Sequence, residues 1–187
     1  MQKRAGVKLG LIGGVIIALI YILLLWIKFT FLSYNPFAFY VGNFVSYFLI
    51  LGCLAVLAMQ RRRKQGGYAE IKDLFQPIFI AVIIAELAYF FFTYYYLNYV
   101  NPSFFADYEK ALVAFAESNN MTAEKVQAQK DMAQAQAAAS KDFWPLFKAM
   151  VFRWIVVDSI FGLIIAFLLR KRTPEQLMER TMSRQQF

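Results

Sequence analysis

Four long apolar runs, separated by polar segments, dominate the chain: Val7–Ile27, Phe37–Met59, Phe75–Leu97 and Phe147–Leu169. Each approaches or exceeds the roughly 20 residues that a helix needs to cross a hydrocarbon core about 30 Å thick. The runs are unbroken rather than alternating, which argues against the short dyad-patterned strands of a membrane barrel. The pattern predicts an all-α membrane protein. It is read as a four-transmembrane-helix bundle, a single integral membrane domain over 1–187, with spans at about 7–27, 37–59, 75–97 and 147–169.

The polar segments predict the rest. After span three, Asn101-Pro102-Ser103 ends the run, and Pro102 is placed to start a new helix. Phe104, Phe105, Tyr108, Leu112 and Phe115 then recur at intervals of three or four, which makes that helix amphipathic and able to rest on the membrane. Ser118-Asn119-Asn120 breaks it, and Thr122 suits the N-cap of a second helix running to Ser140. This second arm is rich in Ala, Gln and Lys with a weak apolar face, so it is expected to be solvated. The external loop 98–146 is thus read as an extracytoplasmic helical hairpin between spans three and four.

Between spans two and three, Gly66-Gly67 break the helix, and Tyr68–Gln76 mixes charged with apolar residues. A short interfacial helix is expected there, turning into span three at Pro77, where a missing N–H in the first turn costs little. In the tail 170–187, Thr173-Pro174-Glu175 predicts a short helix from Pro174 towards Arg184.

Charge orients the bundle. Lys3, Arg4 and Lys8 precede span one, Arg61-Arg62-Arg63-Lys64 follow span two, and Arg170-Lys171-Arg172 follow span four. Alternating passage puts all three clusters on one side, which the positive-inside rule makes cytoplasmic together with both termini. The basic N-terminus resembles a signal peptide, but the run is too long and lacks a small-residue cleavage pattern, so it is read as an uncleaved span. The net charge of +8 sits at the ends of apolar runs, where it meets anionic headgroups, and no nucleic-acid partner is expected. Membrane lipids are the expected partners. Composition agrees, with 60% hydrophobic and 18% aromatic residues.

Chemistry is sparse. There is no histidine, and the single cysteine, Cys53, reads as a small buried hydrophobe. No phosphate loop, metal-ligand cluster or nucleophile elbow occurs, so no cofactor, metal or catalytic residue is expected. Three ionisable residues lie inside spans: Glu86 about 17 Å deep, Asp158 about 18 Å, and Arg153 about 25 Å from the cytoplasmic end. A mid-bilayer charge costs on the order of 2.5–3.5 kcal/mol, so each requires a partner, a proton or water. One reading is a carboxylate pair coupled to Arg153 as a proton or ion site. The other is a buried structural lock, with Arg153 on one carboxylate and a neighbour such as Asn43 on the other.

Small residues suggest how the bundle packs. Gly6, Gly10 and Gly14, then Ala18, recur every four residues, and Gly162 with Ala166 share the Asp158 face of span four. In lipid such faces are a main source of helix association. The partner of the glycine face is another span or another subunit, and intramolecular packing is expected. Aromatic residues crowd the outer halves of the spans beyond what an interfacial belt requires, which leaves a lipid or isoprenoid groove as a further reading.

The basic loop with Arg63, Gly66-Gly67-Tyr68 and Phe75, and the exit from span three, Thr93-Tyr94-Tyr95-Tyr96-Leu97-Asn98-Tyr99-Val100-Asn101-Pro102-Ser103-Phe104, resemble the family called domain of unknown function 4199. That resemblance covers nearly the whole chain and implies a bacterial, mainly Bacteroidetes, four-span inner-membrane protein with no established activity. Asn101-Pro102 stands where the family more often has Asp-Pro. The resemblance also implies a neighbouring family-two glycosyltransferase as a partner. The function expected is a non-enzymatic membrane subunit or scaffold, accessory to an envelope polyprenyl-phosphate glycosyltransferase. The alternative is a small proton- or ion-coupled transporter using Glu86, Asp158 and Arg153.

Overall fold

The computed structural model describes residues 2–171, with the side chains of Gln2, Lys3, Ala149 and Arg153 outside that description. The helix expected from Pro174 to Arg184, and Arg172 of the last basic cluster, lie outside the described residues. The described chain is all-helical. Four helices are long and apolar enough to cross a membrane: Arg4–Leu32, Pro36–Lys64, Ile71–Val100 and Phe143–Leu169. A multi-pass membrane protein follows.

In chain order, α1 (Gln2–Ile27) continues through a π turn at Lys28–Leu32, and α2 spans Pro36–Lys64. α3 (Ile71–Tyr95) likewise ends in a π turn, Tyr96–Val100. The hairpin is α4 (Phe104–Ser118) and α5 (Ala123–Lys141). The last span joins α6 (Phe143–Phe147) to α7 (Arg153–Leu169) through a third π turn, Lys148–Phe152. All three π turns lie at the hairpin end of the bundle. Such turns often mark functional positions, because the wider ring re-aims the side chains around it.

The spans exceed the apolar runs because flanking polar residues continue the helices. Asn35 caps α2 by accepting the Ala38 N–H on Oδ1 at 3.1 Å, and Pro36 takes the first position, where it has no N–H to lose. The segment before span three differs from expectation. No separate interfacial helix forms over Tyr68–Gln76; α3 starts at Ile71 and runs straight through Pro77, which lies in its interior. Proline removes the N–H that would bond the Asp73 carbonyl. Tight packing against α1 holds the helix there, since Pro77 is buried and faces Gly10.

The chain instead turns at Gly66 and Gly67, with φ of +75° and +90°, values that side chains rarely adopt. It then forms an isolated antiparallel bridge in which Ala69 and Lys171 exchange both backbone bonds, at 3.0 and 3.1 Å. Arg62 Nη1 donates to the Leu169 carbonyl at 3.0 Å. These contacts latch the ends of α2, α3 and α7 together on the side opposite the hairpin.

α1 packs chiefly on α3 through its small residues. A Cβ on Gly10 would lie 2.9 Å from the Pro77 carbonyl oxygen, and one on Gly14 would lie 3.0 Å from Ala81 Cα. A Cβ on Gly6 would lie 2.7 Å from Gln76 Oε1. Gly13, outside the four-residue spacing, serves α2, where a Cβ would lie 2.5 Å from Leu57 Cδ1. The adjacent glycines therefore admit two neighbours at once. On α7, Gly162 lies against Ile78 of α3 and Ala166 is fully buried.

The interior has two parts. In the half near the termini it is aliphatic, built on Leu54, Leu57, Leu74, Ile78 and Ala81. Towards the hairpin it is aromatic, with Phe29 stacked on Tyr96 at 5.0 Å and met edge-on by Phe104 at 5.1 Å. Phe104 brings α4 down onto the bundle, and Tyr108 lies on Phe39 of α2 at 5.0 Å. The amphipathic face of α4 thus covers the ends of α1 and α2. α5 is mostly exposed, packs on α4 through the buried Ala133, and is tied back where Asn98 Nδ2 donates to the Ser140 carbonyl. Thr122 occupies the N-cap of α5 but makes no side-chain bond there.

Candidate functional site

Of the buried polar residues, Arg61 lies at the end of the bundle away from the hairpin, whereas Lys28, Glu86, Thr93 and Asp158 lie from mid-depth towards the hairpin. Glu86 of α3 and Asp158 of α7 are both buried, and their carboxyls come together between the two helices. Tyr47 of α2 donates its hydroxyl to Asp158 Oδ1 at 3.1 Å. Among the described residues Glu86 Oε2 has no hydrogen-bond partner. Tyr21 of α1 stacks on Tyr89 of α3 at 5.0 Å beside the pair, so each span contributes a side chain to the cluster.

Local sequence explains the placement. Ala81, Val82, Ala85, Glu86, Phe90 and Thr93 form the buried stripe of α3, so Glu86 lies on the one face that lipid cannot reach. Gly162, one turn after Asp158, allows α7 close enough to α3 for the carboxyls to meet.

About two turns nearer the hairpin, the Lys28 ammonium is buried in the first residue of the π turn and donates to Asn43 Oδ1 at 2.8 Å. Its Nζ lies 4.8 Å from the centre of the Phe29 ring and 4.9 Å from that of Phe39. Between Lys28 and Tyr47 runs a cavity of about 560 Å³, bounded by Tyr21 and Leu25 of α1, Lys28 of the π turn, Asn43 and Tyr47 of α2, Tyr89 of α3, and Trp154 and Phe161 of α7. Exposed Tyr40 and Phe44 on α2 and Phe161 on α7 form its rim, so it opens sideways between those two helices.

Residues 8–171 match the family described as protein of unknown function, DUF4199. The chain belongs to this family. No curated protein and no solved structure matches the chain.

In this DUF4199 chain, the residues that carried the resemblance fall at two structural joints. Gly66-Gly67-Tyr68 form the turn before the Ala69–Lys171 bridge, where Lys171 also lies over the Tyr68 ring at 5.4 Å. The tyrosine-rich exit forms the π turn Tyr96–Val100 and the link to α4.

The four intramembrane polar residues singled out in the sequence divide. Glu86 and Asp158 come together. Asn43 does not serve them: it bonds Lys28, and Tyr47, one turn further along the same face of α2, takes the expected role beside the carboxyl. Arg153 begins α7, and its side chain lies outside the description, as does any pairing it makes. Sequence reasoning passed over Lys28, Tyr21, Tyr47 and Tyr89. Tyr21 carried a signal, because a tyrosine in the middle of an apolar run is too deep for an interfacial belt. Among the described residues no group of three or more metal-ligating side chains occurs.

Proposed function

We propose that this chain is a non-enzymatic integral membrane subunit, a scaffold of the bacterial inner membrane with both termini in the cytoplasm. In this reading it is accessory to an envelope polyprenyl-phosphate glycosyltransferase. The observation that carries the reading is the hairpin α4–α5. Its first arm is fixed to the bundle by Phe104 and Tyr108, while α5 presents a polar, water-facing surface held in register by Asn98. A platform fixed to the bundle in this way can present a docking surface to a partner. The basic residues Arg61–Lys64, Arg170 and Lys171 gather at the opposite end, which supports a cytoplasmic assignment for that end and an external one for the hairpin.

Purification of the intact protein in mild detergent tests this. A stoichiometric membrane partner, identified by mass spectrometry and released by charge reversal at Lys125 and Lys130 on α5, supports the scaffold. A protein that purifies alone under the mildest conditions overturns it.

A second reading is favoured by one feature, the carboxyl pair Glu86–Asp158 beside a cavity. That reading is a proton- or ion-coupled carrier. Reconstituted Glu86→Gln and Asp158→Asn variants decide it: altered flux with intact folding supports the carrier, and unchanged flux removes it.

A further inference from the structure

Lys28 is placed against the ordinary behaviour of lysine in a membrane. Near a helix end the side chain usually snorkels to the interface and places its ammonium in water. Here the Phe29 and Phe39 rings flank the ammonium, and Phe104 of α4 lies on both rings, at 5.1 and 6.0 Å. The hairpin therefore closes the aqueous route. The stem of Lys28 passes Gly42 of α2, where a Cβ would lie 3.9 Å from Lys28 Cγ and 2.9 Å from Leu32 Cδ1. This close approach directs the amine into the lateral cavity.

No carboxylate among the described residues lies within ion-pair distance of that ammonium. Its one hydrogen-bond partner is the neutral Asn43 amide, whose Nδ2 donors no described acceptor takes. Below it the lining is mainly apolar, with Leu25, Phe44, Val157 and Phe161 along the path towards Tyr47, and Ser46 and the rings of Tyr21 and Tyr89 beside them. Among the described residues, a single cation beside an amide donor, above a mainly apolar channel open to the bilayer, complements an amphiphile with one negative charge. One cation balances a phosphodiester; a phosphomonoester or a pyrophosphate would leave charge uncompensated in a low-dielectric site.

We infer that the cavity between α2 and α7 is a binding site for an anionic phosphodiester lipid of the hairpin-side leaflet, of the phosphatidylglycerol class. Its phosphate is held by Lys28 and Asn43, and one acyl chain lies along Phe44 and Phe161. The site goes beyond the scaffold reading and does not depend on it. Either stands if the other fails.

The test is lipid titration of the full chain, followed by native mass spectrometry. The probes are phosphatidylglycerol, phosphatidylcholine and phosphatidic acid with identical chains. The unaltered protein is expected to retain one phosphatidylglycerol in preference to phosphatidylcholine by about fivefold or more, the size of a single basic-residue contribution near a membrane surface. Lys28→Met, which keeps the length of the stem, is expected to abolish the preference. Lys148→Met, at an exposed lysine of the same end, is expected to keep it. Val157→Trp, which fills the channel, is expected to lose the bound lipid. Equal retention of phosphatidylglycerol and phosphatidylcholine by the unaltered protein would overturn the inference without recourse to any variant. So would a preference for phosphatidic acid alone, or one that survives Lys28→Met.

Discussion

Tyr47 and Asp158, 111 residues apart in the chain, meet through a hydroxyl donated to Oδ1 at 3.1 Å. The bond joins α2 to α7 at the depth where Glu86 arrives from α3, so three spans are fixed at one polar point. Tyr47→Phe keeps the ring and removes only the donor. Interhelical hydrogen bonds in membranes average about 0.6 kcal/mol and reach about 1.7. Tyr47→Phe is expected to destabilise the bundle within that range, and to cost nothing further in an Asp158→Leu background. Unfolding in mixed micelles, followed by helicity, measures both. An equal cost in the two backgrounds would show that the bond contributes nothing.

The glycines offer a sharper comparison, because their surroundings differ while their chemistry does not. Gly10 and Gly14 are pressed against the backbone and side chains of α3, whereas Gly52 has nothing within 4 Å of a built Cβ. Overpacking a close contact costs about 1–3 kcal/mol. Replacing an open helical glycine by alanine gains up to about 1 kcal/mol. Gly10→Ala and Gly14→Ala are therefore expected to lower the midpoint of thermal unfolding in detergent, and Gly52→Ala to leave it unchanged or raise it. A drop for Gly52→Ala equal to the others would point to a general intolerance of side chains instead.

What the sequence made legible follows the range of each interaction. The spans were readable because bilayer thickness fixes a helix length and composition marks it. The hairpin was readable because Asn119-Asn120 break one local period and start another; Asn120 has φ of +52°. The Ala69–Lys171 bridge was not readable, since a backbone pairing across about a hundred residues leaves no local pattern. That bridge is also why Tyr68–Gln76 is not an interfacial helix. Lys28 was passed over because its burial is set by Phe39 and Gly42 of α2 and by Phe104 of α4, none of them close to it in sequence. Asn43 lies one helical turn from Tyr47 on the same face of α2, and side-chain type alone did not show which of the two reaches the carboxyl.

The latch at the end opposite the hairpin depends on backbone geometry. At Gly67, with φ of +90°, a β-branched residue is strained by roughly 1–2 kcal/mol. Gly67→Val is expected to release the Ala69–Lys171 bridge and expose the Arg61–Lys64 segment. Limited trypsin digestion of the detergent-solubilised protein reads this as faster cleavage between α2 and α3, with the hairpin lysines cut at an unchanged rate. Uniform acceleration at every site would mean global destabilisation and not an open latch.

The attachment of the hairpin should respond to acid in one window only. Ser103 Oγ donates to Asp107 Oδ2 at 3.0 Å, and Lys110 Nζ lies 3.3 Å from Oδ1. The serine first, and then the lysine, hold this carboxyl below its ordinary range. A group whose value falls on folding binds its proton more weakly in the native state. Its contribution is therefore complete above the unfolded value, about 3.9, and is lost as pH falls through the lower native value. Amide exchange in the first turn of α4, corrected for intrinsic rate, is expected to be flat from about pH 8 to 5 and to rise only below about pH 4. Asp107→Asn is expected to remove that rise, and Glu109→Gln to retain it. Because Ser103 stands between the π turn of span three and α4, fraying at this point loosens the aromatic cover over Lys28. A rise that begins near pH 6 would place the responsible group elsewhere.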